Sequence, residues 1–222
     1  MVVDDPRFDV GLLDVTDASR FLGIARSTFS RWVTGYGGSA PLIHILPSAN
    51  NQARVTFIAM VEAWVLDALL KAGVKRSKIP TALARLAAEF GPEHVLVAPN
   101  LATDGIDILW DFSRTSEGEG IMDARTGQMV MREIVEDYLQ YVSWANDNYP
   151  NMLRLRSCEP SDVIVDPYRA FGQPLFRESR TRVRDVANML AAGEDPQVVA
   201  DEHGVSINDV RTAARILLSR AA

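Results

Sequence analysis

The sequence predicts a mainly α fold of the α+β class. It comprises an N-terminal winged helix-turn-helix, a short β-containing middle, and a C-terminal three-helix helix-turn-helix domain with a small β-hairpin. Three observations carry this expectation. Apolar residues recur at helical spacing near both ends of the chain. Glycines at 23, 35, 73, 193 and 204 punctuate those runs where helices must stop. And two stretches, "DASRFLGIARSTFSRWVTG" (17–35) and "VVADEHGVSINDVRTAARIL" (198–217), share one outline: short helix, turn glycine, short helix.

The elements follow in order. Thr16 is placed to cap a first helix whose apolar face is Ala18, Phe21 and Leu22, and Gly23 breaks it. A second helix over 26–33 puts Phe29, Trp32 and Val33 on one side. "LIHIL" and "ARVTF", two β-prone runs around "PSANNQ", read as a hairpin over 43–57. A long helix over 57–71 carries Met60, Val61, Trp64, Val65, Ala68 and Leu69 at helical spacing; Ser77 is placed to cap the next, which carries Ile79, Leu83, Leu86 and Ala87. In the middle, "HVLVAP", "DILWDF" and "GIMDA" read as short strands, 132–147 as a helix, and "NMLRLRS" as a strand. After "PSD" (160–162), "VIVDP" and "PLFRES" read as a hairpin. Three helices follow: 182–192, one opened by Asp195 and Pro196 and closed by Gly204, and one opened by a Ser206/Asp209 capping box. The expected domains are 1–90, 91–160 and 161–222.

Composition narrows the function. No apolar run reaches the length of a membrane span. The acidic "MVVDDPRFDV" opening lacks the apolar segment of a signal peptide. A lone cysteine, Cys158, permits no intrachain disulfide and fits a reducing cytoplasm. The net charge of −6 argues against a uniformly cationic nucleic-acid binder, but the charge is segregated. Between Arg20 and Arg85, nine Lys/Arg face two acids; between Gly91 and Pro160, five basic residues face twelve acids. A basic block of this kind suits an anion such as DNA.

The helix-turn-helix outline has a physical basis. Two helices crossing at a fixed angle need a small residue at the crossing, a turn residue free to take positive φ, and an apolar lock on the second helix. Ser19, Gly23 and Phe29 have that order at spacings of 4 and 6, and Ala200, Gly204 and Val210 repeat both spacings. Spacing therefore does not separate a DNA reader from a structural corner, but charge does. The second helix of the N-terminal unit offers Arg26, Ser27, Thr28, Ser30 and Arg31 with no acid at its start, Arg20 lies on the first helix, and His44, Asn50, Asn51, Gln52 and Arg54 lie on the wing. The C-terminal unit carries Asp201, Glu202 and Asp209, which repel phosphates and favour a protein-interaction or dimerisation role. Arg177, Arg180, Arg182 and Arg184 form a basic stripe that fits either nucleic acid or an acidic partner face.

Catalytic signals are weak. His44, His94 and His203 have no metal-ligand spacing. Cys158 reads as a structural thiol, and the carboxylates between 104 and 137 as a solvated acidic face. Trp64, Trp110 and Trp144 read as core or interface anchors. No enzyme, metal or cofactor is expected.

Residues 15–86 resemble the winged helix-turn-helix of MerR-like regulators, with Gly73, Val74 and Ile79 matching its Gly-Val-x-x-x-x-Ile helix start after the wing. Residues 163–217 resemble a small domain of bacterial antitoxins: Asp166-Pro167, Phe171-Gly172-Gln173-Pro174, Arg182 and Ala192-Gly193-Glu194 fall in its pattern. Glu178-Ser179-Arg180 stands where that pattern has Gly-Thr-Arg. The combination resembles a VapB-type antitoxin of the mycobacterial kind. The resemblance implies a cytoplasmic protein that silences a PIN-domain ribonuclease toxin by direct binding and represses its own operon as a homodimer on operator DNA. The competing readings are a stand-alone MerR-like regulator with a small-molecule sensor in its acidic middle, and an enzyme using the 104–137 carboxylates with Mg²⁺.

Overall fold

The computed structural model describes residues 5–35, 40–47, 53–91, 94–98, 101–122 and 127–218. In chain order the helices are α1 (Val15–Leu22), α2 (Arg26–Thr34), α3 (Phe57–Lys71), α4 (Ile79–Phe90), α5 (Ile106–Ser113), α6 (Gln128–Leu139), α7 (Val183–Ala191), α8 (Pro196–His203) and α9 (Ile207–Ala213). The strands are β1 (Val142–Trp144), β2 (Pro150–Arg154), β3 (Val163–Val165) and β4 (Leu175–Phe176), ordered β1-β2-β3-β4 in one small sheet. The antiparallel register sets Leu153 opposite Val165 and Val163 opposite Phe176. The fold is mainly α with a small antiparallel sheet, as expected.

The chain forms two compact units: residues 1–57 together with 152–222, and residues 58–151. The division does not fall at positions 90 and 160. The two helix-turn-helix segments, read from sequence as separate domains, belong to one discontinuous unit.

In that unit α1 begins two residues earlier than a Thr16 cap would place it. Asp14, in extended backbone, accepts the Asp17 N–H at 2.7 Å and is the cap. At the other end Gly23 takes φ 68°, its N–H donates to Arg20 O and that of Ile24 to Ser19 O. This is the paired closure of a Schellman turn. The turn after α8 repeats it: Gly204 at φ 59° donates to Asp201 O and Val205 to Ala200 O. Ser19, Phe29, Ala200 and Val210 are all buried. The Asp195 cap, Pro196 in the first turn and the Ser206/Asp209 capping box stand where the sequence put them.

The expected 43–57 hairpin is reduced. Leu46 N–H donates to Arg54 O, but the 53–56 run pairs chiefly with residues 12–13. Arg54 and Val55 donate to Leu13 O, and Leu12 and Leu13 donate to Val55 O. That ladder buries Leu12, Leu13 and Val55 completely or nearly so. The wing's tip, with Asn50, Asn51 and Gln52, lies outside the described residues.

Within this unit the 152–222 segment is tied to the 1–57 segment through specific bonds. Arg184 on α7 pairs with Asp17 on α1, Gln173 Nε2 donates to Leu12 O at 2.5 Å, and Ser157 Oγ donates to Phe21 O.

The second unit is built on α3, whose Met60, Val61, Trp64, Val65, Ala68 and Leu69 are buried. The Trp64 ring stacks 4.4 Å from that of Tyr138 on α6, and its Nε1 donates to Tyr138 O at 2.9 Å. Ser77 does not cap α4. It lies in a 3₁₀ turn, Arg76–Lys78, and the helix opens with Pro80 in its first turn and no side-chain cap. Of the strands expected in the middle, "NMLRLRS" is present as β2, and the other three are not strands among the described residues. "DILWDF" is α5, "HVLVAP" holds a 3₁₀ turn at Val95–Val97, and Met122 of "GIMDA" makes one isolated bridge to Val74. Ile106 and Leu109, three apart, are both fully buried, so helical spacing wins over strand-like composition in α5. The helix expected over 132–147 ends at Leu139, and its tail becomes β1.

Candidate nucleic-acid interface

The candidate DNA-reading surface is α2. Its inner face, Phe29, Trp32 and Val33, is buried against α1 and the following segment, which fixes the helix by packing. Leu42 and Ile43 N–H groups both donate to Trp32 O, so the chain leaving α2 is tied back to it. The outer face follows by elimination of the core positions. Arg26, Ser27 and Arg31 are exposed, and Thr28 and Ser30 are half-buried. The first turn contains no acid and no side-chain cap, so no negative side chain of α2 offsets the positive end of the helix dipole. Arg26 makes no ion pair among the described residues.

The flanking candidates are placed differently. Arg20 lies on α1, half-buried, 3.4 Å from Asp17. Asp17 is almost buried and is shared with Arg184, so Arg20 is part of an internal charge cluster. His44 is exposed at the base of the wing, and Arg54 Nε donates to Leu46 O at 2.8 Å, bracing the wing.

The basic block counted along the sequence is divided between the two units. Arg20, Arg26, Arg31 and Arg54 belong to the first unit, and Lys71 to Arg85 to the second. There Lys71 pairs with Asp67 at 2.8 Å and also donates to the Tyr138 hydroxyl. Those interactions raise its pKa against the opposing effect of burial, which is the largest single influence.

The C-terminal arginine stripe is likewise divided. Arg177 pairs with Asp162 at 3.1 Å, Arg182 with Asp185 at 2.8 Å, and Arg184 with Asp17. Arg180 is exposed on the turn after β4 at φ 61°. The left-handed position of that turn is thus Arg180 and not Glu178, so no glycine is needed at 178. In the second helix-turn-helix, the Asp209 carboxylate is engaged by Ser206, and Asp201 and Glu202 are exposed on α8.

Among the described residues no group of three or more His, Cys, Asp and Glu is placed to hold a metal ion. Nor is any helix long and apolar enough to cross a membrane. His94 hydrogen-bonds to buried Glu62 at 3.0 Å, a pairing internal to the second unit that the sequence did not signal.

Comparison with known proteins adds to this geometry. A family described as "Putative DNA-binding HTH domain" matches residues 11–83, and a family described as "Protein of unknown function (DUF433)" matches residues 163–215. The chain is 40% identical over 225 residues to "Putative antitoxin VapB45" of Mycobacterium tuberculosis, covering 93% of this chain and 94% of that protein. It is 25% identical over 214 residues to the uncharacterised protein Rv2308 of the same organism, covering 89% and 86% respectively. The crystal structure of Rv2018 from M. tuberculosis superposes with a TM-score of 0.75 at 38% identity, covering 93% of this chain and 99% of that one.

Proposed function

Because the chain belongs to the VapB-type antitoxin family, a family of regulators and not of enzymes, we propose that it neutralises a PIN-domain ribonuclease toxin by direct binding and represses its own operon in the cytoplasm. A homodimer would set two copies of α2 on a palindromic operator, since two-fold protein symmetry is matched by two half-sites. In each copy Arg26 and Arg31 read base edges from the start and middle of α2. Ser27, Thr28 and Ser30 position it on phosphates, and His44 and Arg54 steady the wing against the neighbouring backbone. Arg20 contributes from within its Asp17 cluster. Of the C-terminal stripe, Arg180 is the member best placed for a partner, because Arg177, Arg182 and Arg184 are held by internal carboxylates.

The observation that carries the DNA reading is the acid-free, exposed start of α2 with an unpaired Arg26, inside the segment that the DNA-binding family matches. Gel-shift titration tests it. Arg26→Ala and Arg31→Ala should each weaken operator binding by about 1–3 kcal/mol without lowering folding stability. Unchanged binding in both variants overturns the assignment. The toxin arm is tested by co-expressing the chain with the nuclease encoded beside it and asking whether the two purify as a complex in which RNA cleavage is silenced.

A further inference from the structure

The loop between β3 and β4 holds an arrangement that neither DNA binding nor the core explains. Ala170 and Phe171 take φ of 47° and 55°, and Gly172 follows at 70°, so three consecutive residues are left-handed. Only the glycine does so without steric cost. The loop is fastened at both ends. On one side Asp166 accepts the Tyr168 N–H at 2.9 Å and pairs with Arg169 at 3.2 Å. On the other, Gly172 lies so close to Leu12 that a Cβ there would fall 2.4 Å from Leu12 Cδ2, and Gln173 is bonded to Leu12 O. The result of this strained, anchored backbone is that Phe171 stands 88% exposed.

Phe171 is not isolated. Tyr168 is 60% exposed and its hydroxyl lies 3.4 Å from Asp5; Val10, two residues before Leu12, is 42% exposed. Three large hydrophobic side chains therefore stand at the joint of the N-terminal segment and this loop. Strain kept at a site that exposes apolar surface marks a place where binding is selected over stability.

We propose that this knuckle, led by Phe171, is the anchor by which the chain holds its toxin, a proposal that rests on the toxin-binding reading above. The rim identifies the partner's chemistry. The two segments that meet at the knuckle, residues 5–14 and 166–173, carry Asp5, Asp9, Asp14 and Asp166 against Arg7 and Arg169, a formal balance of −2. A second copy docked on the same patch about a two-fold axis sets acids against acids and knob against knob. A protein that binds RNA presents the opposite charge, because its path for a polyanion must be cationic. The occupant is thus an apolar, aromatic-sized pocket with a basic rim on the nuclease. A rigid aromatic entering such a pocket has the character of an interface hot spot, with the ordering cost already met in the free chain.

The test uses the full-length chain and the nuclease encoded beside it. Phe171→Ala should weaken their complex by roughly 30-fold or more, the effect of losing one hot-spot side chain. Its melting temperature and operator affinity should be unchanged, because the side chain it removes is exposed. Phe171→Trp should retain tight binding, and Asp9→Lys should slow association most at low salt. If wild type and Phe171→Ala bind the nuclease equally, the knuckle is not the anchor, although the antitoxin reading stands. If Phe171→Ala instead dissociates the homodimer and leaves nuclease binding intact, the patch is a self-interface and the proposal is overturned. If the wild-type chain binds no nuclease of its operon, the antitoxin reading and this inference fail together.

Discussion

Gly172→Ala is the sharpest probe of how the discontinuous unit is closed. The substitution adds one methyl group at φ 70°, 2.4 Å from Leu12 Cδ2, 2.7 Å from Cδ1 and 3.0 Å from Cγ. Carbon atoms in good contact sit about 3.5–4.0 Å apart, so Leu12 must retreat by about an ångström. Leu12 is 2% exposed and its carbonyl is bonded to Gln173, so retreat disturbs neighbours. The left-handed backbone costs alanine about 1 kcal/mol relative to glycine, and overpacking a filled site costs about 1–3 kcal/mol. The expected loss is therefore about 2–4 kcal/mol, a large share of the roughly 5–15 kcal/mol that stabilises a typical domain. Urea unfolding followed by circular dichroism measures it directly. A second arm isolates the clash. Leu12→Ala empties the space, so in its background Gly172→Ala should cost only the backbone share, about 1 kcal/mol. A loss below about 0.5 kcal/mol for Gly172→Ala, or strict additivity in the double variant, refutes the packing argument.

Two further predictions concern the same unit. A double-mutant cycle on Asp17→Ala and Arg184→Ala should give a coupling of about 1–2 kcal/mol, because the Asp17 side chain is only 13% exposed, whereas an open surface pair gives less than about 1 kcal/mol; near-zero coupling places that pair among incidental surface contacts. Burial pushes the Cys158 thiol up to about 11 from an ordinary 9.0, outweighing a hydrogen bond from Ser157 and the charge of Arg215. At pH 8 it should react with disulfide reagents about 100-fold more slowly than a free thiol. Since the folded state holds this proton more tightly, the stability it contributes is full below pH 9 and is lost as pH rises towards 11, which a series of unfolding curves at pH 8 to 11 will show.

The sequence was most legible where local chemistry decides structure. Gly23 and Gly204 close their helices with positive φ, and the Asp195 and Ser206 caps stand at the expected positions. The 4 and 6 spacings of both helix-turn-helix units reappear as buried crossings. Legibility failed where alternatives are nearly balanced. Thr16 and Asp14 are both good caps, and only the start of the backbone turn at Val15 selects Asp14. Short apolar runs such as "DILWDF" satisfy strand and helix alike until their neighbours are known. Non-local association left no trace at all. Nothing in Leu12 or Asp17 announces partners more than 150 residues away, yet Gln173 and Arg184 bind them. For the same reason a tally of charges along the chain could not tell that Arg177, Arg182 and Arg184 are each held by a carboxylate of this chain. The Phe171 knuckle was also hidden, because "RAFGQP" shows neither exposure nor left-handed backbone in its letters. Its only signal was the Phe-Gly-x-Pro match, which pointed to a family and not to a role.

The closure of residues 1–57 by residues 152–222 has a consequence in time. At about 5–20 residues per second, a ribosome that has made α2 still needs roughly 5–20 seconds or more to deliver the segments that support it. Throughout that interval Phe21 and Leu12 lack the loop and helices that complete their surroundings, and α2 has no finished platform. A chain broken off before residue 152 never gains one. On the function proposed above, only finished molecules act on the operator, so interrupted synthesis, whatever its cause, withdraws repression without any separate sensor.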